Sequence, residues 1–184
     1  NDFFGNFSVL HILWVIWMID MVYQVIPAKD KIALGSQKLF EQRFKPIREK
    51  INYQNLRNYI ISTTKAAYKI FIIWAVLIAV LGILHIKGVI GDVFLLMTSV
   101  VFYVCDLICV LIWCPFRLIM KNKCCTTCRI FNWDHLMMFT PLIYVEGFYT
   151  RSLLLMSIAV WLVWEVSVML YPERFWEFSN EALR

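Results

Sequence analysis

The chain alternates between long apolar stretches and short polar ones. Four stretches, residues 7–26, 70–90, 93–114 and 152–171, are almost wholly apolar, and each matches the roughly 20 residues of helix that cross a bilayer. Lipid offers no hydrogen bonds to peptide groups, so segments of this kind fold as helices in a membrane. The pattern predicts an all-α, polytopic transmembrane helical bundle with four full spans. We expect residues 1–184 to form a single integral membrane domain.

A fifth apolar segment, residues 136–149, is shorter than a full span and contains Pro141, Glu146 and Gly147. It either crosses as a short, tilted helix or turns back as a re-entrant hairpin. If it crosses, the C-terminus lies inside the cell, and if it re-enters, the C-terminus lies outside. No basic stretch precedes the first apolar run, which we therefore interpret as a retained span and not as a secretory signal.

Two polar loops are rich in lysine and arginine. Residues 29–69 contain ten basic and three acidic residues, and residues 115–135 contain four basic residues against Asp134. Basic loops are retained on the cytoplasmic side of a membrane. Both loops are therefore predicted to be cytoplasmic, which puts the N-terminus outside. Nucleic-acid binding would also explain basic loops, but it needs more assumptions, and we expect no nucleic-acid partner.

Apolar residues recur inside the first basic loop. Phe40, Phe44, Ile47 and Ile51 follow one another at intervals of three and four residues, which predicts an amphipathic helix. Pro46 is either a kink in it or the first residue of a new helix. The segment would lie on anionic lipid or bind a partner protein, or it would form a cytosolic hairpin. A non-catalytic membrane scaffold, alone or as an oligomer, is thus one candidate function.

Composition agrees with a membrane protein. The chain is 61% hydrophobic and 17% charged, whereas soluble domains are near one half and one quarter. Its net charge is +5, and most of its basic residues lie in the two loops. No hydrolase elbow, phosphate-binding glycine loop, zinc-protease helix or deaminase signature occurs, so no enzyme class is indicated.

All six cysteines lie between residues 105 and 128. Cys124, Cys125 and Cys128 form a C-C-x-x-C element in the second basic loop, where cytoplasmic thiols stay reduced and basic neighbours favour the thiolate. This element predicts a cytoplasmic-face thiolate site that binds zinc or iron or exchanges electrons. Cys114 or His135 would complete a tetrahedral metal site. The alternatives are an unmetallated turn, lipidated thiols, or a disulfide if the topology is inverted.

Two more cysteines lie within the third span. Cys105 and Cys109 are one helical turn apart, beside Asp106, so their side chains share a face. They either extend a path for a soft metal or are small packing residues.

Acidic residues inside the spans are the other chemical signal. Asp20, Asp106 and Glu165 lie at a similar depth, on the cytoplasmic side of the middle of their spans, where an ionisable group costs about 3 kcal/mol or more. No lysine or arginine lies within these stretches. Grouped around one cavity, the carboxylates would serve a small cation or proton-coupled transporter or channel. Alternatively, they are protonated and hydrogen-bond neighbouring helices. His11, on the opposite helix face from Asp20, is expected to be a packing or interfacial residue.

Overall fold

The computed structural model describes residues 8–26, 44–48, 50–120 and 127–181. Within these ranges the chain is helical and contains no strand, which confirms the all-α prediction. The α-helices in chain order are α1 (Val9–Val25), α2 (Tyr53–Ile86), α3 (Asp92–Leu111), α4 (Phe116–Met120), α5 (Asp134–Phe139) and α6 (Phe148–Leu170).

Three of these helices, α2, α3 and α6, are long and apolar enough to cross a membrane, and α1 is a shorter apolar helix of 17 residues. In the most apolar 18-residue stretch of each helix, only 17% of α2, 11% of α3 and 28% of α6 is buried inside the protein. Their outer faces display large aliphatic and aromatic side chains. Such a continuous apolar exterior is stable in lipid and not in water, which is consistent with a membrane protein.

Helix α2 is longer than the span predicted for it. Asn52 caps its N-terminus, because the Asn52 Oδ1 atom accepts hydrogen bonds from the amides of Gln54 and Asn55 at 3.1 and 3.2 Å. Its 34 residues extend about 51 Å, against roughly 30 Å of hydrocarbon. No proline or glycine interrupts residues 53–69. This part of the first basic loop therefore continues directly into the apolar helix, and the two are not separate elements.

The prediction of an amphipathic helix through Phe44, Ile47 and Ile51 is wrong for the described residues, which are not helical. Instead, Pro46 forms an isolated antiparallel bridge with Asn180 in the C-terminal tail. Proline has no amide hydrogen to give to a helix, and the adjacent amides bond to the tail. The amide of Lys45 donates to the Asn180 side chain at 3.0 Å, and that of Ile47 donates to the Ser179 carbonyl at 3.3 Å. Phe40 lies outside the described residues.

Helices α1 and α6 lie side by side and run in the same direction. The Trp14 indole donates to the Ser152 hydroxyl at 2.8 Å near the start of both helices. Towards their ends, the Trp164 indole donates to the carbonyl of Gln24 at 3.2 Å. The main hydrophobic core forms where these two helices meet α5, and it includes Trp17, Met21, Met138, Phe139, Leu153, Val160 and Trp164.

The predicted short segment is a broken helix that runs along α2. It consists of a 3-10 turn at Arg129–Trp133, helix α5, and a second 3-10 turn at Thr140–Tyr144. We refer to residues 129–144 as the broken segment. The Arg129 guanidinium bonds Thr64 at 2.6 Å, and the Tyr144 hydroxyl donates to the Ile78 carbonyl at 3.2 Å. Thr64 and Ile78 are about four turns apart, or about 21 Å, so the segment runs parallel to α2 over most of a membrane thickness.

Helix α3 begins one residue earlier than predicted. Its N-cap is Gly91, and Asp92 is the first helical residue. The Asp92 carboxylate lies 3.6 Å from the His85 ring at the end of α2, so this side chain links two helices across a tight connection. At the N-terminus of α1, the His11 ring accepts the Ser8 amide at 3.0 Å. His11 therefore helps to cap the N-terminus of α1.

Candidate functional site

His135 is buried between two carboxylates. Its Nδ1 atom lies 2.6 Å from Asp134 Oδ1, and its Nε2 atom lies 3.0 Å from Asp20 Oδ2. The His135 and Asp134 side chains are 2% and 6% exposed, whereas that of Asp20 is 37% exposed. An acidic residue of α1 and an acidic residue of the broken segment are thereby joined through one imidazole ring.

Local structure fixes both carboxylates. Asp134 is the first residue of α5, and its Oδ1 atom also accepts the backbone amide of His135 at 2.5 Å. On α1, the Gln24 amide lies one turn beyond Asp20 and donates to Asp20 Oδ1 at 2.8 Å. Gln24 is 1% exposed, and its Oε1 atom has no hydrogen-bond partner among the described residues. This buried oxygen can therefore accept a further hydrogen bond.

The three side chains must share protons. A neutral imidazole has one N–H, so it can donate to only one of the two carboxylates. Donating to both requires an imidazolium between two carboxylates, which leaves one net negative charge in a buried site. A further proton makes the group neutral, which removes the cost of burying a net charge. Asp134, His135 and Asp20 therefore form a continuous hydrogen-bonded chain suited to proton exchange.

A cavity of about 250 Å³ lies beside this chain. Asp134 is on its wall, and so is Asp106, from α3. Asp106 and Asp20, which are predicted to act together, are thus both connected to Asp134. Asp106 shares the cavity wall with Asp134, and Asp20 is joined to it through His135. The remaining wall is mostly aromatic and sulfur-containing, with Trp74, Phe102, Phe116, Phe131, Met137, Met138, Cys105, Cys109, Cys114 and Cys128 among its residues.

Four of the six cysteines therefore line the same cavity, and all four are free thiols. Cys109 lies in the last turn of α3 and Cys114 just beyond its end, and both are on this wall. Cys114 and Cys128, both predicted metal ligands, are buried on the cavity wall. The other two predicted thiolate ligands, Cys124 and Cys125, lie outside the described residues.

The structure orients His135, the other predicted metal ligand, towards carboxylates. Both of its ring nitrogens are engaged, one by Asp134 and one by Asp20. In the described ranges, no group of three or more His, Cys, Asp or Glu side chains has the arrangement of a metal site. A tetrahedral site that includes His135 would require the ring to leave one of these carboxylates.

Glu165 has a different role from the other predicted acids. Its Oε2 atom lies 2.6 Å from the Arg129 guanidinium, and its Oε1 atom accepts the Trp133 indole N–H at 2.6 Å. Arg129 lies outside the apolar stretches, so the pattern of apolar residues indicates no cationic partner for Glu165. Both charged side chains are about 15% exposed. They line a separate cavity of about 170 Å³, and together they anchor the broken segment to α6.

Sequence reasoning missed Asp134 and Gln24 as members of the site. The charge pattern assigns Asp134 to the second basic loop, although this residue immediately precedes His135 and an apolar run. Gln24 is four residues after Asp20, the spacing at which helical side chains meet. Two polar residues one turn apart in an apolar helix were therefore the available signal.

Comparison of the chain with protein-family models, curated proteins and solved structures finds no match.

Proposed function

We propose that this protein is an integral membrane transporter that exchanges a cation for protons through Asp106, Asp134, His135 and Asp20. The observation that carries this proposal is the position of Asp134. Asp134 is one of the residues on the cavity wall, and its carboxylate is bonded to His135, which in turn reaches Asp20. A cation site and a proton path thus share one side chain.

The coupling follows from electrostatics. Ionisable groups are costly inside a membrane, and they concentrate along ion and proton pathways. A buried carboxylate is stabilised by a proton or by a nearby cation, and the two compete for its charge. A cation that enters between Asp106 and Asp134 therefore favours loss of a proton from Asp134 through His135 towards Asp20. Return of the proton favours release of the cation.

The broken segment is the element that would move. Interrupted helices at membrane depth occur where backbone lines a cavity or a protein interior, and transporters build substrate sites from them. Here, the two 3-10 turns flank α5, which begins with Asp134 and His135. A small rotation of this six-residue helix would change the side from which the cavity opens.

A specific membrane orientation accompanies the proposal. In it, α1, α2, α3, the broken segment and α6 cross in alternating directions, with the N-terminus outside and the C-terminus inside. The bonds between residues 45–47 and the tail support this orientation, because they join the end of α6 to the basic end of α2. Residues 29–52 and 115–128 are then cytoplasmic, and α2 and the broken segment enter the membrane from that side. The first loop would contact anionic lipid or a partner protein, with no nucleic-acid partner and with oligomers allowed.

A thiolate site remains a second candidate function, as a zinc or iron site or as an electron-exchanging group. It is favoured by the position of Cys114 and Cys128 on one cavity wall, at the end of the loop that contains Cys124 and Cys125. Elemental analysis of the purified protein, compared with a triple serine variant at Cys124, Cys125 and Cys128, tests it. Absence of both a stoichiometric metal and a redox couple would eliminate this candidate.

Transport is tested in proteoliposomes that contain a pH-sensitive dye. Imposed gradients of a panel of monovalent and divalent cations should drive proton movement for at least one cation. Asp106→Asn and His135→Gln, which preserve side-chain size, should reduce the rate at least about tenfold, since each removes an ionisable group from the pathway. Thr98→Val is the matched control on α3, because Thr98 is only partly buried and its hydroxyl donates to the Phe94 carbonyl of its own helix. Unchanged flux in Asp106→Asn contradicts the proposal.

A further inference from the structure

We infer that the cavity between α2, α3 and the broken segment binds an organic ammonium ion, a cation whose nitrogen is surrounded by carbon groups. The inference rests on the proposed transport function, since it names the class of cation that would be exchanged for protons. The site itself is argued from the residues on the cavity wall and from the ways in which a protein stabilises a buried positive charge.

Aromatic rings form much of this wall. The rings of Trp74 on α2 and Phe102 on α3 have their centroids 4.6 Å apart, at an interplanar angle of 59°. Phe116, at the start of α4, and Phe131, in the broken segment, are also wall residues. The face of an aromatic ring attracts a cation that lies within about 6 Å of its centre. Four chain segments thus bring rings to one cavity, as in the aromatic cages that bind quaternary ammonium groups.

Two acidic residues determine the charge of the wall. Asp106 belongs to α3 and Asp134 to the broken segment, and both are wall residues. The described residues of the wall include no lysine or arginine. A carboxylate in a buried site is stabilised in its charged form by a nearby cation. The wall is therefore complementary in charge to a positive ligand.

The other wall residues favour an organic cation over an inorganic one. Mg²⁺ and Ca²⁺ bind about six to eight oxygen ligands, whereas Asp106 and Asp134 are the described wall residues whose side chains contain oxygen. The remaining side chains are aromatic, aliphatic or sulfur-containing, and thiols and thioethers pack as apolar groups. Such a wall cannot replace the hydration of a bare ion, which is costly to remove. An organic ammonium ion instead presents carbon groups to the wall.

The volume of the cavity limits the size of this ligand. Pockets for drug-sized molecules have volumes of about 300–1,000 Å³, and this cavity has a volume of about 250 Å³. A small ion is therefore the appropriate probe. Phenyltrimethylammonium meets this requirement, because it combines one aromatic ring with a permanent charge.

Binding can be measured without transport. The full chain, purified in a maltoside detergent, is titrated with phenyltrimethylammonium in a calorimeter, and protein-free micelles provide the blank. We expect one ion per chain. The uncharged carbon analogue tert-butylbenzene has the same shape and should bind at least about tenfold more weakly, because it lacks the attraction to the carboxylates and ring faces. Exchange of Na⁺ for K⁺ or Mg²⁺ at constant ionic strength should leave the affinity unchanged.

Two substitutions of Trp74 separate the aromatic face from local packing. The Trp74 indole donates to the Thr140 hydroxyl at 3.3 Å, and Trp74→Leu and Trp74→Phe both lose this bond. Trp74→Leu also loses the aromatic face and should weaken binding at least about fivefold, whereas Trp74→Phe should remain within about twofold of the unmodified protein. Asp106→Asn removes a charge at constant size and should weaken binding at least about tenfold.

Several outcomes would overturn the site. They are absence of binding, equal affinity for phenyltrimethylammonium and tert-butylbenzene, and equal affinity in Trp74→Leu and Trp74→Phe. The comparison of the two probes uses only the unmodified protein, so it remains decisive if a variant fails to fold.

Failure of this inference is distinguishable from failure of the proposed function. Binding of phenyltrimethylammonium that depends on its charge, with no proton movement in proteoliposomes, would retain the site and remove transport. Proton movement that is driven by an inorganic cation and is unaffected by phenyltrimethylammonium would retain transport and remove the organic ion as its substrate.

Discussion

The ring of Tyr144 occupies the space beside Gly82 that a larger side chain would fill. Tyr144 ends the broken segment, and its hydroxyl donates to the Ile78 carbonyl, one turn before Gly82 on α2. A Cβ atom built on Gly82 would overlap the Tyr144 ring. The glycine therefore allows the broken segment to lie directly against α2.

Replacing Gly82 with alanine should destabilise the protein. In an exposed helix, a change from glycine to alanine stabilises the helix by about 1 kcal/mol. A lower melting temperature would therefore show that the clash with Tyr144 outweighs this gain in helix propensity. The effect should disappear in the Tyr144→Ala background, where the clash is absent. Thermal unfolding in detergent of the four proteins of this double-mutant cycle measures the coupling. Additive effects would contradict the contact.

The Arg129–Glu165 pair should contribute more to stability than a surface ion pair. Both groups are mostly buried, and removal of one partner leaves the other without compensation, which costs about 3 kcal/mol. Glu165→Gln and Arg129→Met should each lower the midpoint of denaturant unfolding, and the double variant should be more stable than the sum of the two effects implies. Arg174→Met is a control, because Arg174 instead covers the face of the Tyr171 ring.

The hydrophobic pattern predicted the helices but not their ends. Long apolar runs determine that α2, α3 and α6 exist, since only a helix satisfies their backbone in lipid. The basic residues predict a boundary at residue 69, whereas α2 starts at Tyr53, because charged side chains do not interrupt a helix. The pairing of Pro46 with Asn180 joins parts of the chain 134 positions apart, and no local pattern contains that information.

The sequence predicts which types of residue form the site, but not which of them contact one another. Asp20, Asp106 and Glu165 stood out because charge is rare in apolar runs. Which of them act together depends on the loop residues that fold into the bundle. Glu165 pairs with Arg129 and not with the other acidic residues. Asp20 is connected to the cavity through His135 and Asp134. These partners lie in the least regular part of the chain, where periodicity gives no register.

The bonds of His135 predict unequal effects of changing its partners. His135→Ala removes the ring that lies between two acidic side chains and should destabilise the protein strongly, by about 3 kcal/mol. Asp20→Asn keeps an acceptor for the ring and should cost less, about 1 kcal/mol. Thermal melting in lipid nanodiscs compares the two, with Glu146→Gln in the connection before α6 as a control. Equal melting temperatures for His135→Ala and the unmodified protein would contradict the burial of this ring between carboxylates.

Membrane orientation is the final prediction. Arg48 and Glu177 lie in the two segments joined by the Pro46–Asn180 bridge, whereas Lys87 follows the opposite end of α2. Single cysteines introduced at Arg48 and Glu177 should therefore react from the same side with a maleimide that cannot cross membranes, and one at Lys87 should react from the other side. In intact cells, only the Lys87→Cys protein should gain label over the unmodified chain, which accounts for native cysteines. Because basic segments remain cytoplasmic, labelling of Arg48→Cys in intact cells would invert the orientation. Labelling of Arg48→Cys and Glu177→Cys from opposite sides would contradict the parallel course of α1 and α6 and the bond between residue 47 and the tail.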